Sequence, residues 1–274
     1  MLAALIIVFR EVFEAGLIVG IVLAVTRGVA QRGWWISGGV AGGVLGACVV
    51  AAFAGALSSA FSGVGQELFN AAVLSVAVVM LTWHNVWMAR HGREMAAEMR
   101  AAGEAVVKGR SSLAALAIVV GVATLREGAE VVLFLYGILA SGGTSEASVF
   151  LGGVLGLGLG ALVCALAYVG LLRIPGRYLF AVTSVMIAFL AAGMAAQAVL
   201  FLAQADVLTA FDIVMWDTSW LLSDGSVFGK ALHTLIGYND RPTGMQIVVY
   251  LATLLIMFLL MRMFAPEPKP LPAH

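Results

Sequence analysis

The chain has 274 residues, 62% hydrophobic and 11% charged, with fifteen basic against fifteen acidic side chains. That much apolar surface excludes a soluble globular domain and points to a polytopic membrane protein; no nucleic-acid partner is expected. A bilayer core about 30 Å thick needs about 20 apolar residues per helix, and seven stretches of the sequence meet that requirement.

In chain order, the first stretch is 1–26. It is too long and too charged for a cleavable signal peptide and has no basic leading segment, so it reads as a retained helix. The stretches 35–57 and 66–89 follow, then a mixed-charge 90–110 segment that reads as a helical connector. The next stretches are 112–140, 147–172 and 178–204. A long 205–244 segment, apolar and polar by turns, reads as a partly helical external cap. The span 245–264 completes a single transmembrane domain over 1–264, and the proline-rich 265–274 reads as a disordered cytoplasmic tail.

Charge sets the orientation. With seven spans, Arg27, Arg32, Arg90, Arg93, Arg100, Lys108, Arg110, Arg173, Arg177, Arg262 and Lys269 share one side, against Lys230 and Arg241 on the other. The positive-inside rule then places the N-terminus outside and the C-terminus in the cytoplasm of a cell with this chain in its cytoplasmic (inner) membrane. Cys48 and Cys164 lie in apolar helices and read as buried small hydrophobes.

The first three spans resemble the next three. "REVFEAGLIVGIVLA" (10–24) matches "REGAEVVLFLYGILA" (126–140), "GGVLGACVVA" (42–51) matches "GGVLGLGLGA" (152–161), and 68–81 is a looser counterpart of 179–192. Three helices per unit is odd, so repeat two (111–204) enters the membrane from the side opposite to repeat one (1–90). This is the inverted repeat of many secondary transporters, whose sites lie near the midplane between the halves. Glycines at Gly38, Gly42 and Gly46, and at Gly152, Gly156 and Gly160, recur every fourth residue and predict close helix packing.

The repeated element carries Arg-Glu-x-x-Glu twice: Arg10, Glu11 and Glu14, then Arg126, Glu127 and Glu130. Three residues on a helix turn through about 60° and rise about 4.5 Å, so the two carboxylates of each copy face one way. Arg10 reaches Glu14 and Arg126 reaches Glu130 at i,i+4 spacing. A charge at the bilayer centre costs roughly 2.5–3.5 kcal/mol, and one ion pair per helix would suffice to lock two helices together. The second glutamate leaves each copy net negative. Such a cluster invites a hard cation bound by oxygen, with the arginines holding the empty cluster ionised. If the halves are inverted, Glu11 and Glu130 form an outer rung, and Glu14 and Glu127 an inner rung.

A duplicated Arg-Glu-x-x-Glu in helices 1 and 4 of a seven-helix chain resembles the oxidase-dependent iron permease family, which includes fungal high-affinity iron permeases and bacterial EfeU-like permeases. "QELF" (66–69), "LTW" (81–83) and the stretch from "WDTS" to "IGY" (216–238) extend the likeness over the whole chain. The family usually has Arg-Glu-Gly-Leu-Glu, where this chain has Val12 and Phe13 in the first copy and Ala129 in the second. The resemblance implies iron import, commonly ferric iron delivered by an extracytoplasmic oxidase, with an extracytoplasmic iron-binding partner. It also implies iron as transported substrate and no permanently bound cofactor. The chain has no Glu-x-x-His pair of a di-iron oxidase and no nucleotide-binding loop, so it reads as a transporter and not an enzyme. Carboxylates alone leave open direct transport of ferrous iron or of another cation such as lead, and a non-transporting scaffold for a redox complex is the rival outside transport.

Three acids lie near the expected outer face. Glu67, in the first turn of helix 3, suits the helix dipole and is a candidate ligand at the mouth. Asp217 and Asp224, in the family-like part of the cap, are candidates for an acidic vestibule. His84, late in helix 3, reads as a polar or interface histidine in preference to a ligand, and Trp83 and Trp87 as an inner aromatic belt.

Overall fold

The computed structural model describes residues 1–60, 65–141, 144–170 and 176–264; the predicted tail 265–274 and its Lys269, like Arg173, lie outside them. Eight helices make up the described fold: α1 (Leu2–Val25), α2 (Arg32–Ala60), α3 (Gln66–Val107), α4 (Leu113–Ala140), α5 (Glu146–Tyr168), α6 (Gly176–Gln204), α7 (Val227–Ile236) and α8 (Gly244–Met263). Five of them, α2, α3, α5, α6 and α8, contain segments long and apolar enough to cross a membrane. The 24-residue α1 and 28-residue α4 are as long, but each carries one of the Arg-Glu-x-x-Glu triplets in its apolar sequence.

The boundary at 89 differs from the sequence reading. The span 66–89 and connector 90–110 form one 42-residue helix, about 63 Å long and twice the bilayer core. Nothing in 90–107 breaks a helix: its alanines, glutamates and arginines are strong helix formers, and its glycines stand singly. The far end packs Met99, Ala102 and Val106 onto Val22, Ile36, Leu116 and Val120. In the 205–244 segment, α7 starts on the Ser226 cap and ends at Gly237, whose φ of 68° suits glycine. It packs on α6 and α1. Thr218 N–H donates to the Asp240 carbonyl (2.9 Å) and Tyr238 Oη to the Leu222 carbonyl (2.8 Å), so the cap is a built structure.

The helices pair crosswise: α2 packs along α4, α5 along α1, and α3 along α6, with α1, α3 and α4 also in mutual contact. Glycine determines how close the first two pairs come. A Cβ on Gly43 would stand 2.6 Å from both the Gly121 oxygen and Thr124 Cβ, and 2.9 Å from Leu125 N. A Cβ on Gly156 would stand 2.5 Å from the Leu5 oxygen, 3.1 Å from Val8 Cβ and 3.0 Å from Phe9 N. Leu5, Val8 and Phe9 precede Gly121, Thr124 and Leu125 by 116 positions each, the offset between the two charged triplets. Gly39 against Ala117 and Gly152 against Met1 repeat the relation, as do Ala47 against Gly128 and Gly160 against Val12.

These contacts correct the glycine reading on α2. Gly38 and Gly42 have open space where a Cβ would project, whereas Gly39, Gly43 and Ala47 touch α4, and only Gly46 of the expected stripe packs, on Leu125 of α4. The matching offset between α2 and α5 is therefore 113, three residues from the string match of 42–51 with 152–161. The adjacent glycine pairs at 38–39 and 42–43 make both registers look alike in sequence. Gly152, Gly156 and Gly160 pack as expected.

Outward faces of α2, α5 and α8 are apolar and exposed, through Leu45, Val49, Phe53, Phe150, Leu157, Leu255 and Phe258, as suits helices bordered by lipid. Cys48 is exposed on α2, contrary to its expected burial, while Cys164 seats its sulfur against Gly16 of α1. One apolar cluster joins Ala4, Ile7, Leu74, Leu81, Phe134, Ile138 and Ile187. The second joins Val22, Ile36, Leu116 and Val120. Along α1 and α4 the charged triplets fall between these two clusters.

Candidate metal centre

Glu127 lies 14 residues into α4, about 21 Å along a helix of about 42 Å, so its carboxylate is at mid-helix. Glu11 and Glu14 occupy the middle part of α1. The crosswise packing turns both triplets inward. Arg10, Glu11, Glu14 and Glu127 are each no more than 3% exposed, and the Glu130 side chain 13%.

Arg10 Nε donates to Glu14 Oε1 at 2.7 Å, and Arg10 Nη1 stands 3.9 Å from Glu11 Oε1. In the second copy Arg126 Nε donates to Glu130 Oε1 at 3.2 Å and lies 3.7 Å from Glu127 Oε1. The two arginines are not equivalent. Arg10 is fully enclosed, whereas the Arg126 side chain is 37% exposed, with Cζ 4.5 Å from the centre of the Trp87 ring. Trp87, read as part of an aromatic belt, is a cation–π partner here.

His84 is the residue that sequence reasoning undervalued. It is 4% exposed and reaches the carboxylates from α3. Its Nε2 lies 3.4 Å from Glu14 Oε2 and 4.0 Å from Glu11 Oε2, while its Nδ1 contacts Glu130 Oε2. Next to it, Asn85 Nδ2 donates to the Ser184 carbonyl of α6 at 3.1 Å, which fixes this part of α3. The repeat pairs His84 with Ala195, so comparing the halves hides it. A His-Asn pair inside an apolar span was the available signal.

One donor atom each from Glu11, His84, Glu127 and Glu130 lies within 4.8 Å of the others. The expected outer pair, Glu11 and Glu130, is thus drawn together with Glu127 of the expected inner pair, and Glu14 joins through His84. Both Glu11 oxygens, Oε2 of Glu14 and Glu127, His84 Nε2 and Arg10 Nη1 are buried without a hydrogen-bond partner, while Glu130 Oε2 meets His84 Nδ1. Buried polar atoms are nearly always satisfied, which makes these converging carboxylates and the imidazole the side chains that could hold a cation.

The three remaining candidates stand apart from this cluster among the described residues. Glu67 is exposed in the first turn of α3. Asp217 is engaged within the cap: the Ser219 hydroxyl and N–H donate to it at 2.5 and 2.9 Å, and Arg241 Nε lies 3.0 Å away. These contacts hold its carboxyl at about 2. Asp224 is partly buried, which raises its carboxyl above the ordinary range despite the nearby His233. Its Oδ1 is buried without a partner.

Residues 1–266 match the Iron permease FTR1 family. The chain is 32% identical over 270 residues to a protein named ferrous iron permease EfeU from Escherichia coli O6:H1 (strain CFT073), covering 95% of this chain and 96% of the relative. It is also 32% identical over 269 residues to the protein of that name from Shigella sonnei (95% and 96% covered) and over 267 residues to that from Yersinia pestis (95% and 94% covered). No solved structure matches the chain.

Proposed function

Because the chain belongs to the Iron permease FTR1 family, we propose that it imports iron across the cytoplasmic membrane through the centre formed by Glu11, Glu14, Glu127, Glu130 and His84. The observation that carries this reading is the convergence, from three helices, of buried donors that lack partners. One permease unit over 1–264 is built from inverted halves, 1–90 and 111–204, with α1 and α4 crossing the membrane alongside the five more apolar spans. The matched contacts of Gly43 and Gly156 support that symmetry. The excess of positive residues on one side supports a cytoplasmic C-terminus.

The ion in transit is ferrous. Four carboxylates against two guanidiniums leave two negative charges, which one divalent ion neutralises. An imidazole among the donors suits a borderline metal better than a hard one. The relatives' names agree. Ions approach from the side of the cap, where Glu67 and Asp224 offer carboxylates at the mouth, while Asp217 braces the cap through Arg241. An extracytoplasmic iron-binding or oxidase partner would meet the cap on this side. Transport itself is carboxylate exchange: an ion gains oxygens of the next glutamate as it leaves those of the last, and Arg10 and Arg126 hold the carboxylates in place between passages.

The test is ⁵⁵Fe uptake into proteoliposomes by wild type, Glu14→Gln and Glu130→Gln, with iron given as ascorbate-held Fe²⁺ or weakly chelated Fe³⁺. Uptake of Fe²⁺ by wild type, lost in both variants, is the expected result. Uptake of Fe³⁺ alone would reverse the assignment of oxidation state. Folded variants that transport like wild type would make the cluster structural, and wild type that carries neither form of iron would make the chain a scaffold.

A further inference from the structure

We propose that His84 is itself a ligand of the ion in transit, through Nε2, with Glu130 orienting the ring through Nδ1. The inference rests on the iron-transport reading and goes beyond it, because it assigns a nitrogen donor and a source of selectivity to α3, outside the repeated triplets.

The ring's two nitrogens face different surroundings. Nδ1 is in contact with Glu130 Oε2. Nε2 is buried without a hydrogen-bond partner and faces two oxygens in the same condition, Glu14 Oε2 at 3.4 Å and Glu11 Oε2 at 4.0 Å. Donors each about 2.1 Å from a common first-row ion stand roughly 3.0–4.2 Å apart, depending on whether they are adjacent or opposite. Both distances from Nε2 therefore fall within the spacing of two ligands to one ion. Metal-bound histidines commonly donate their other ring N–H to a carboxylate, which fixes tautomer and ring plane, and Glu130 occupies that place. The Asn85 bond to the Ser184 carbonyl anchors the helix beside the ring.

A carboxylate-only cluster would favour hard ions and separate divalent metals poorly. One imidazole shifts preference toward later first-row ions, since nitrogen donors favour Fe²⁺ over Mn²⁺ in the usual affinity order. His84 is thus the specificity-determining residue of the path. As a purely structural bridge between α1 and α4, it would leave an all-oxygen iron shell.

X-ray absorption on untagged, full-length protein loaded anaerobically with Fe²⁺ decides the matter, because imidazole gives outer-shell scattering that carboxylates do not. The chain has four histidines. Wild type is expected to show imidazole scattering from one ring per iron. A variant with His91, His233 and His274 all changed to Gln keeps it, and His84→Gln loses it. In proteoliposomes, His84→Gln lowers the ratio of Fe²⁺ to Mn²⁺ uptake about tenfold or more. Iron bound by wild type in an oxygen-only shell would overturn the inference while leaving iron transport standing, and that spectrum decides even if His84→Gln fails to fold. Imidazole scattering that survives in folded His84→Gln would overturn it equally. Wild type that neither binds nor carries Fe²⁺ would overturn both readings.

Discussion

The two arginines are duplicates in sequence and unequal in structure, and their removal should show it. Arg10 is 2% exposed, bonded to Glu14 at 2.7 Å and adjacent to Glu11. Arg10→Met would leave these two buried carboxylates without their cation, a change that costs about 3–5 kcal/mol for a buried pair. Arg126 keeps 37% of its side chain exposed and shares its charge with the Trp87 face. Its bond to Glu130 is longer, and Glu130 retains His84, so Arg126→Met should cost only about 1 kcal/mol. The double variant Arg10→Met/Glu14→Gln removes a charge from each side and should recover about 2 kcal/mol over Arg10→Met alone. Reversible unfolding in mixed micelles, followed by tryptophan fluorescence against detergent mole fraction, measures these four proteins and Glu14→Gln alone. Equal losses from the two arginine variants, or additive behaviour of the double variant, would contradict this inequality.

Further outcomes follow from the packing and the cap. Gly43→Val and Gly156→Val push backbone against backbone and should each cost about 1–3 kcal/mol and reduce uptake. Gly42→Val, projecting into open space, should stay within about 0.5 kcal/mol of wild type in the same unfolding assay. Asp217, with its carboxyl lowered from 3.8 to about 2, contributes stability that is complete above pH 4 and lost as pH falls through about 2. Thermal midpoints of wild type and Asp217→Asn should therefore differ at pH 5 and converge toward pH 2; a gap independent of pH would contradict this. In a chain lacking Cys48 and Cys164, a cysteine at Ser223 should react with an impermeant thiol reagent from outside intact cells and one at Glu104 should not. The reverse pattern would invert the orientation.

Helix identity was legible because apolar length and composition govern it, and the paired glutamates were legible because charge inside apolar sequence is conspicuous. Other features depend on side-by-side packing. Gly38 and Gly39 are neighbours in sequence but point about 100° apart on a helix, and only contact with α4 shows which one packs. His84 reads as a polar or interface histidine in sequence because the carboxylates around it come from α1 and α4, 70 or 46 positions away. The extension of α3 to Val107 was obscured by treating a change from apolar to charged residues as the end of a helix. It marks where the surroundings change, while helix propensity continues.

Convergence of both triplets on one ion site is tested by equilibrium binding of ⁵⁵Fe²⁺ to solubilised wild type and to glutamine variants of each triplet. One ion per chain, lost when either Glu14 or Glu130 becomes glutamine, is the predicted result. Two independent ions, one surviving the loss of either triplet, would contradict it.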